Sequence, residues 1–388
     1  MNPVHYQPSA RLLRTLLLIA FACALVFAAG LFTATPERAW SGFLIGFAFV
    51  SGLALAGAFF TSITHVANAH WAVALRRIPE AMAGTLPLAF GLGILLIGGV
   101  PVIYSWAHAH GAHAPLLEHK LGWLNQPFFA VRLIAYFALW IWLAGRVLAS
   151  SRAQDRDGKG THSAHAYKRS ILFIAVFAAT FSLASWDWYL SLEPEWFSTI
   201  YALQALAGIA TAGLGLVMIT ASMLGRNRLA QTLKPDHYDD LGKLGIALSL
   251  FWVYISFCQY MLIWYTDMPE ETVWYLARNT GAWQSLHTIG IVLNWLVPFC
   301  VLMPKRARRS SSVILRVGMV FLFGRIFDLW LLLGPPLMPQ GPGFGLFELA
   351  PVLGMSALFT WYYLRTLARE NLVPLGDPNL QASLHHHC

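Results

Sequence analysis

Residues 185–204 read SWDWYLSLEPEWFSTIYALQ, which sets Asp187, Glu193 and Glu195 among aromatic side chains with no lysine or arginine between them. A carboxylate in such a setting must pair with a cation, hold a proton or cap a helix. Asp187 falls in the last turn of an apolar helical run, where the negative end of the helix dipole disfavours an anion. It therefore needs a cation or a proton. Glu193 and Glu195 flank Pro194, a residue suited to the first position of a helix. There the dipole favours each by about 0.3 to 1 kcal/mol, so both are expected to start a helix.

The same question arises wherever a charge interrupts an apolar run, because an ionisable group inside a membrane has to face a partner or a water-filled cavity. Arg325 and Asp328 in GRIFDLW are three apart, so they share a helical face and can pair. Counted from the start of that run, Arg325 lies roughly 18–20 Å along the helix. Glu348, Arg132 and His287 occupy comparable depths. An outer polar cluster of Asp187, His287, Arg325, Asp328 and Glu348 is thus expected. An inner mouth would be formed by His65, His70, Asp239, Asp240 and Lys243, with Glu80 nearby. Thr180, Ser182, Tyr254, Ser256, Gln259 and Asn294 lie between, and Tyr254 and Gln259 are the candidate relay where two water-connected half-channels would meet. The structural alternatives are ion pairs, interfacial caps and hydrogen bonds between helices.

Other chemistries find less support. Cys23, Cys258, Cys300 and Cys388 are dispersed and form no CxxC or CxxCH motif, which argues against iron–sulfur ligation, covalent haem and disulfides. His65 and His70 are five apart, about 140° around a helix, and His287 lies near the opposite face, so no bis-histidine haem site suggests itself. HAHGAHAPLLEHK could offer His108, His110, His113 and His119 to a metal, with a solvated loop as the default. Nucleophile elbows, phosphate loops and zinc-protease spacings do not occur.

The composition says what must position these groups. Of 388 residues 57% are hydrophobic and only 11% charged, against about a quarter charged in soluble domains. A helix needs about 20 apolar residues to cross the hydrocarbon core, and ten such runs are read near 11–33, 40–66, 79–103, 128–149, 170–190, 194–224, 241–264, 284–302, 312–333 and 344–367. The chain is thus expected to be an all-α, single-domain, multi-pass membrane protein. The first run follows Arg11 and Arg14 like a signal peptide, but its length favours a retained span. The net charge of +8 is spread over short loops rather than one basic face, so it points to lipid headgroups and not to nucleic acid. Of the basic loop residues, only Arg38, Lys120 and Arg278 fall on one side of the membrane. The positive-inside rule then puts both termini in the cytoplasm. Trp40, Trp106, Trp123, Trp186, Trp188 and Trp196 belong to an aromatic belt at the outer boundary.

Several strings taken together resemble the ActF subunits of bacterial alternative complex III, a membrane quinol:cytochrome c oxidoreductase. They are SWDWYLSLEPEWFSTIYALQ, HYDDLGKLGIALSLFWVYISFCQYMLIWYTDMPEETVWYLAR, LNQPFFAVRLIAYFALWIWLA, GRIFDLWLLLGPP and DPNLQASLHHHC. The resemblance spans nearly the whole chain, and the long central string is its most specific part. It also makes SLHHHC a family tail rather than a purification tag. It implies the NrfD-like (polysulfide-reductase-like) arrangement, a pair of four-helix bundles with flanking helices and no bound cofactor. It implies quinol oxidation in a sister subunit, ActC, beside an iron–sulfur protein, with electrons passing to multihaem cytochrome c subunits and on to cytochrome c or a terminal oxidase. The chain departs from the family at Glu195, where members commonly carry histidine. A role needing a neutral imidazole is put in doubt there, although a carboxylate can also relay protons.

Three functional readings follow. The first is a membrane subunit without its own redox centre in such a complex of the bacterial inner membrane, a scaffold and a candidate proton path. In the second the chain binds or oxidises quinol itself, with Asp187 or His287 accepting the proton. The third is a stand-alone secondary transporter, for which an internal repeat and paired broken helices are wanting.

Overall fold

The structure, a computed structural model, describes residues 4–32, 36–108 and 115–387. Among these the chain is helical, without a strand, and nine helices are long and apolar enough to cross a membrane. They are α1 (Ala10–Leu31), α2 (Pro36–Val66), α3 (Arg77–Ile97), α4 (Gln126–Asp157), α5 (Thr161–Leu192, whose last turn tightens after Trp188), α6 (Tyr201–Gly225), α7 (Pro235–Thr266), α9 (Gly281–Leu302) and α10 (Ser311–Leu337). A short helix, α8 (Pro269–Arg278), joins α7 to α9. The run expected near 344–367 forms α11 (Leu346–Arg369), but Glu348, Arg365 and three consecutive aromatic residues, Trp361, Tyr362 and Tyr363, keep it out of the apolar set. The chain closes with α12 (Leu380–Leu384).

Local sequence sets several boundaries. The Ser9 hydroxyl accepts from Leu12 N at 3.2 Å to cap α1, and the Asn125 side chain accepts from Phe128 N at 3.0 Å to cap α4, with Pro127 in its first turn. In α9 one π-helical turn, Val292–Leu296, precedes Pro298, which cannot supply the regular helical hydrogen bond. The sixth run begins later than the sequence suggests. Residues 193–200 are irregular, so Glu193 and Glu195 do not start α6.

α2 is apolar on every face and therefore belongs inside. In its most apolar stretch 94% of residues are buried, and α1, α3, α5, α6, α10 and α11 all pack around it. A close crossing joins α6 and α10, where Gly215 faces Gly318. A Cβ on Gly318 would lie 2.6 Å from the Gly215 carbonyl oxygen, and one on Gly215 would lie 2.8 Å from that of Gly318. Small residues of this kind let membrane helices approach backbone to backbone.

The two ends of the chain meet. Leu372 N donates to Val4 O at 2.8 Å, and His5 bridges Asn371. Beyond this, α12 docks on a 3-10 helix, His70–Leu75, through the Ser383 hydroxyl, which donates to Trp71 O and accepts from Ala74 N. The tail is thus part of the packed structure at Ser383, and His386 reaches back to Asp240.

Gly318→Val should cost about 1–3 kcal/mol through overpacking against a backbone that cannot retreat, whereas Gly145→Val, with open space around Gly145, should be nearly silent. Thermal unfolding of both variants in detergent checks this; equal melting temperatures would refute the crossing as a tight spot.

Candidate functional site

The outer charges resolve into separate arrangements. Asp187, at the end of α5, faces α4. Its carboxylate accepts from Arg132 Nε at 2.8 Å, Arg132 Nη2 at 2.9 Å, the Tyr136 hydroxyl at 2.8 Å and Trp123 Nε1 at 2.8 Å. Arg132 and Tyr136 stand one turn apart on α4, and the guanidinium carbon lies 4.3 and 4.4 Å from the ring centroids of Trp123 and Phe128. The cation that Asp187 required is therefore Arg132, and each carboxylate oxygen has two donors. The signal was present in the sequence as an arginine inside an apolar run with a tyrosine four residues on.

Glu193 pairs with Arg278 at 2.7 Å. Arg278, a loop residue in the sequence reading, is buried with its guanidinium 3.8 Å from the Trp274 ring centroid. It also donates to Leu331 O at 3.1 Å and Leu332 O at 3.0 Å. These are the carbonyls that Pro335 and Pro336, lacking N–H groups, leave without a helical partner. The GPP motif thus creates two acceptors that one arginine fills. Glu195 is exposed. Glu348 is paired with Arg38 across the starts of α11 and α2, apart from the other outer groups.

Arg325 and Asp328 pair within α10, as their spacing predicts. Both are buried, and α6 makes room for them at Gly208, where a Cβ would lie 2.1 Å from Arg325 Nη1. Unlike Arg132, Arg325 leaves Nε and Nη2 without a protein partner. Asp328 forms part of the wall of a cavity of about 420 Å³ between α6, α7, α8, α9 and α10. Trp252, Tyr260, Trp274, Tyr275 and Trp295 supply its aromatic walls, and Gln204, Ser256, Arg278, Asn279 and His287 its polar ones. His287 Nδ1 lies 2.8 Å from Asn279 Oδ1. With the amide oxygen accepting, the ring proton sits on Nδ1 and Nε2 is left as an acceptor. The indole nitrogens of Trp274 and Trp295 and the amide oxygen of Gln204 have no protein partner either, while the Trp252 side chain is turned to the Asp328 carboxylate. In α8, outside the crossing helices, burial raises the Tyr275 phenol above its ordinary pKa, so it stays protonated.

The expected outer cluster is therefore corrected. Asp187, Glu348 and the Arg325–Asp328 pair each have their own ionic partner, and only Asp328 and His287 share a cavity. The middle relay also changes, because Tyr254 is 61% exposed on the outward surface of α7. Gln259 is buried, with Nε2 3.4 Å from the Ser198 hydroxyl. Five residues separate the two, placing them about 140° apart around the helix. They cannot form one interior path.

On the face carrying the termini, Asp239 pairs with Arg308 at 2.8 Å and Lys243 at 2.9 Å. Asp240 meets Lys243 at 3.2 Å and His386 of the tail at 2.6 Å. His65 is buried with Nε2 lacking a partner, and His70 is exposed; both border a small polar pocket with Arg76 and Asp377. The tail joins these two groups, since Asp377 pairs with Arg76 and His386 with Asp240. The sequence reading missed a further network here, in which Arg77 bridges Glu80 and Asp155 and bonds the Ser151 hydroxyl at 3.2 Å. Of the histidine-rich loop, His110 and His113 lie outside the described residues, while His108 and His119 are exposed. Among the described residues no group of three or more His, Cys, Asp or Glu could hold a metal, and Cys23, Cys258 and Cys300 are free thiols.

The chain matches no protein-family model and none of the curated proteins compared with it.

Removing one partner from a buried ion pair leaves an uncompensated charge, a loss of about 3–5 kcal/mol. Arg132→Met should therefore destabilise the chain by that amount, and Arg132→Met with Asp187→Leu should recover much of it. Thermal unfolding of the single and double variants measures this. A double variant as unstable as the single one would sink the assignment of Arg132 and Asp187 as a structural pair.

Proposed function

We propose that this chain is a membrane subunit, without a redox centre of its own, of a respiratory quinol:cytochrome c oxidoreductase of the alternative complex III type, and that it binds a quinone ring in the outer cavity. The observation that carries the quinone site is the cavity itself. An aromatic enclosure with a few convergent polar groups suits a planar ring with an oxygen at each end. His287 Nε2 is an acceptor for one hydroxyl proton of a quinol, and Asp328 offers a second acceptor if its contact with Arg325 loosens. The indole N–H groups of Trp274 and Trp295 are donors suited to the carbonyl oxygens of the oxidised ring. Oxidation of the quinol releases two protons and two electrons, and in this reading the electrons leave to an iron–sulfur protein and multihaem cytochrome c subunits of the complex.

The wider identity rests on the ActF-like strings of the sequence. In this reading the chain lies in the bacterial inner membrane with its termini in the cytoplasm, beside an ActC-like subunit and, in some assemblies, a terminal oxidase. The meeting of Val4 with Leu372 supports ten crossings, because termini on one side require an even number. With α11 as the tenth, this reading expects an NrfD-like pair of four-helix bundles with flanking helices. The scaffold role is supported by the many buried ion pairs that tie helix to helix. A proton path through Tyr254 is not part of the proposal, given where Tyr254 lies.

The full chain in lipid nanodiscs should bind a 1,4-naphthoquinone with quenching of tryptophan fluorescence, since Trp252, Trp274 and Trp295 line the cavity. His287→Gln and Asp328→Asn should each weaken binding about tenfold, a loss of about 1.4 kcal/mol. In the assembled complex their quinol turnover and proton release should be compared with the parent. Unchanged quenching in both variants would remove the quinone site from this chain and leave the scaffold reading standing.

A further inference from the structure

The outer cavity adjoins the lipid-facing surface. Val253, Phe257 and Trp295 line both the cavity and a shallow apolar groove of about 680 Å³. The groove continues along α7 past Tyr254, Phe251 and Leu250 to Ala247, and no charged residue borders it. Tyr254, Phe257 and Leu250 are exposed, so the groove faces the hydrocarbon of the bilayer. From Phe257 to Ala247 the helix descends about 15 Å, toward the bilayer centre. Trp295, at the junction, belongs to the π-helical turn of α9, and such turns mark functional sites often enough to single this one out.

We infer that the ligand of the outer cavity carries a long polyprenyl tail, that the tail lies in the α7 groove, and that the ligand reaches the cavity sideways from the bilayer between Phe257 and Trp295. The inference rests on the quinone reading and adds the tail and the route to it. Adjacency argues for the occupant. A ring held in the cavity by His287 and Asp328 has its apolar end at the three shared residues, and the groove prolongs that end into hydrocarbon. A ligand without a tail would leave the groove to bulk lipid and gain nothing from it. Burial of apolar surface is worth about 25 cal/mol per Å², so a seated tail should add measurably to affinity over partitioning alone.

The test uses the full chain in nanodiscs, with affinities expressed as mole fraction in the lipid so that partitioning cancels. The probes are a polyprenyl 1,4-naphthoquinone and 2-methyl-1,4-naphthoquinone, read by tryptophan quenching. The tailed probe should bind about tenfold more tightly, or about 1.4 kcal/mol. Ala247→Phe, at an exposed position on the groove floor, should remove most of that advantage and leave the tail-less probe within about twofold, or about 0.4 kcal/mol. Equal affinities for the two probes would overturn the tail site while the quinone site stands. So would an Ala247→Phe variant that keeps the full advantage. Failure of both probes to bind would overturn the quinone reading and the tail with it.

Discussion

Everything polar in this molecule is governed by the cost of holding charge where water cannot follow. An ion buried in a medium of low dielectric loses several kcal/mol unless a partner and hydrogen bonds replace its hydration. The chain meets this constraint with arginines that reach between elements. Arg132 ties α4 to α5, Arg278 ties α8 to α10 and the segment after α5, Arg308 and Arg309 tie the start of α10 to α7, and Arg77 ties α3 to α4. A planar guanidinium with five donors can satisfy a carboxylate and backbone carbonyls together, which an ammonium cannot do as well. The apolar helices supply length and bulk, while these arginines fix which helix faces which.

The cavity owes its shape to two departures from regular helix. Pro335 and Pro336 free the carbonyls of Leu331 and Leu332, and Arg278 binds them, bringing α8 with Trp274 and Tyr275 over the end of α10. Below, the π-helical turn carries Trp295 beside Val253 and Phe257. Neither departure is a local defect. Each makes room in a core whose helices otherwise pack as closely as Gly215 on Gly318.

Hydropathy alone located nearly every helix, because a membrane span depends on length and composition, both of which are local. Arg325 with Asp328 was also legible, since both partners lie on one helical face. What could not be read was long-range pairing. Asp187 and Arg132 are 55 residues apart, and nothing in either neighbourhood names the other. Pro194 misled for the same reason. Its helix-starting preference is overridden by tertiary contacts: Lys120 Nζ bonds its carbonyl at 2.5 Å, Arg278 holds Glu193, and Trp196 stacks on Trp274 with ring centroids 5.0 Å apart. Tyr254 was misjudged because position along a helix gives depth but not direction, and its face of α7 is turned outward.

Two buried aspartates therefore end in opposite circumstances. Asp187 is surrounded by four donors from Arg132, Tyr136 and Trp123, so any proton it accepts must displace a hydrogen bond. Asp328 has one cationic partner, and that partner leaves two of its own nitrogens unused. A carboxylate in the first state is a structural tie, since both its oxygens are committed. One in the second state can exchange partners with a ligand at lower cost, and it is the one with a cavity beside it. The carboxylate most conspicuous in the sequence is thus the least available for chemistry. Asp328, explained at once by its neighbour three residues away, is the one whose explanation leaves donors on Arg325 for something else to meet.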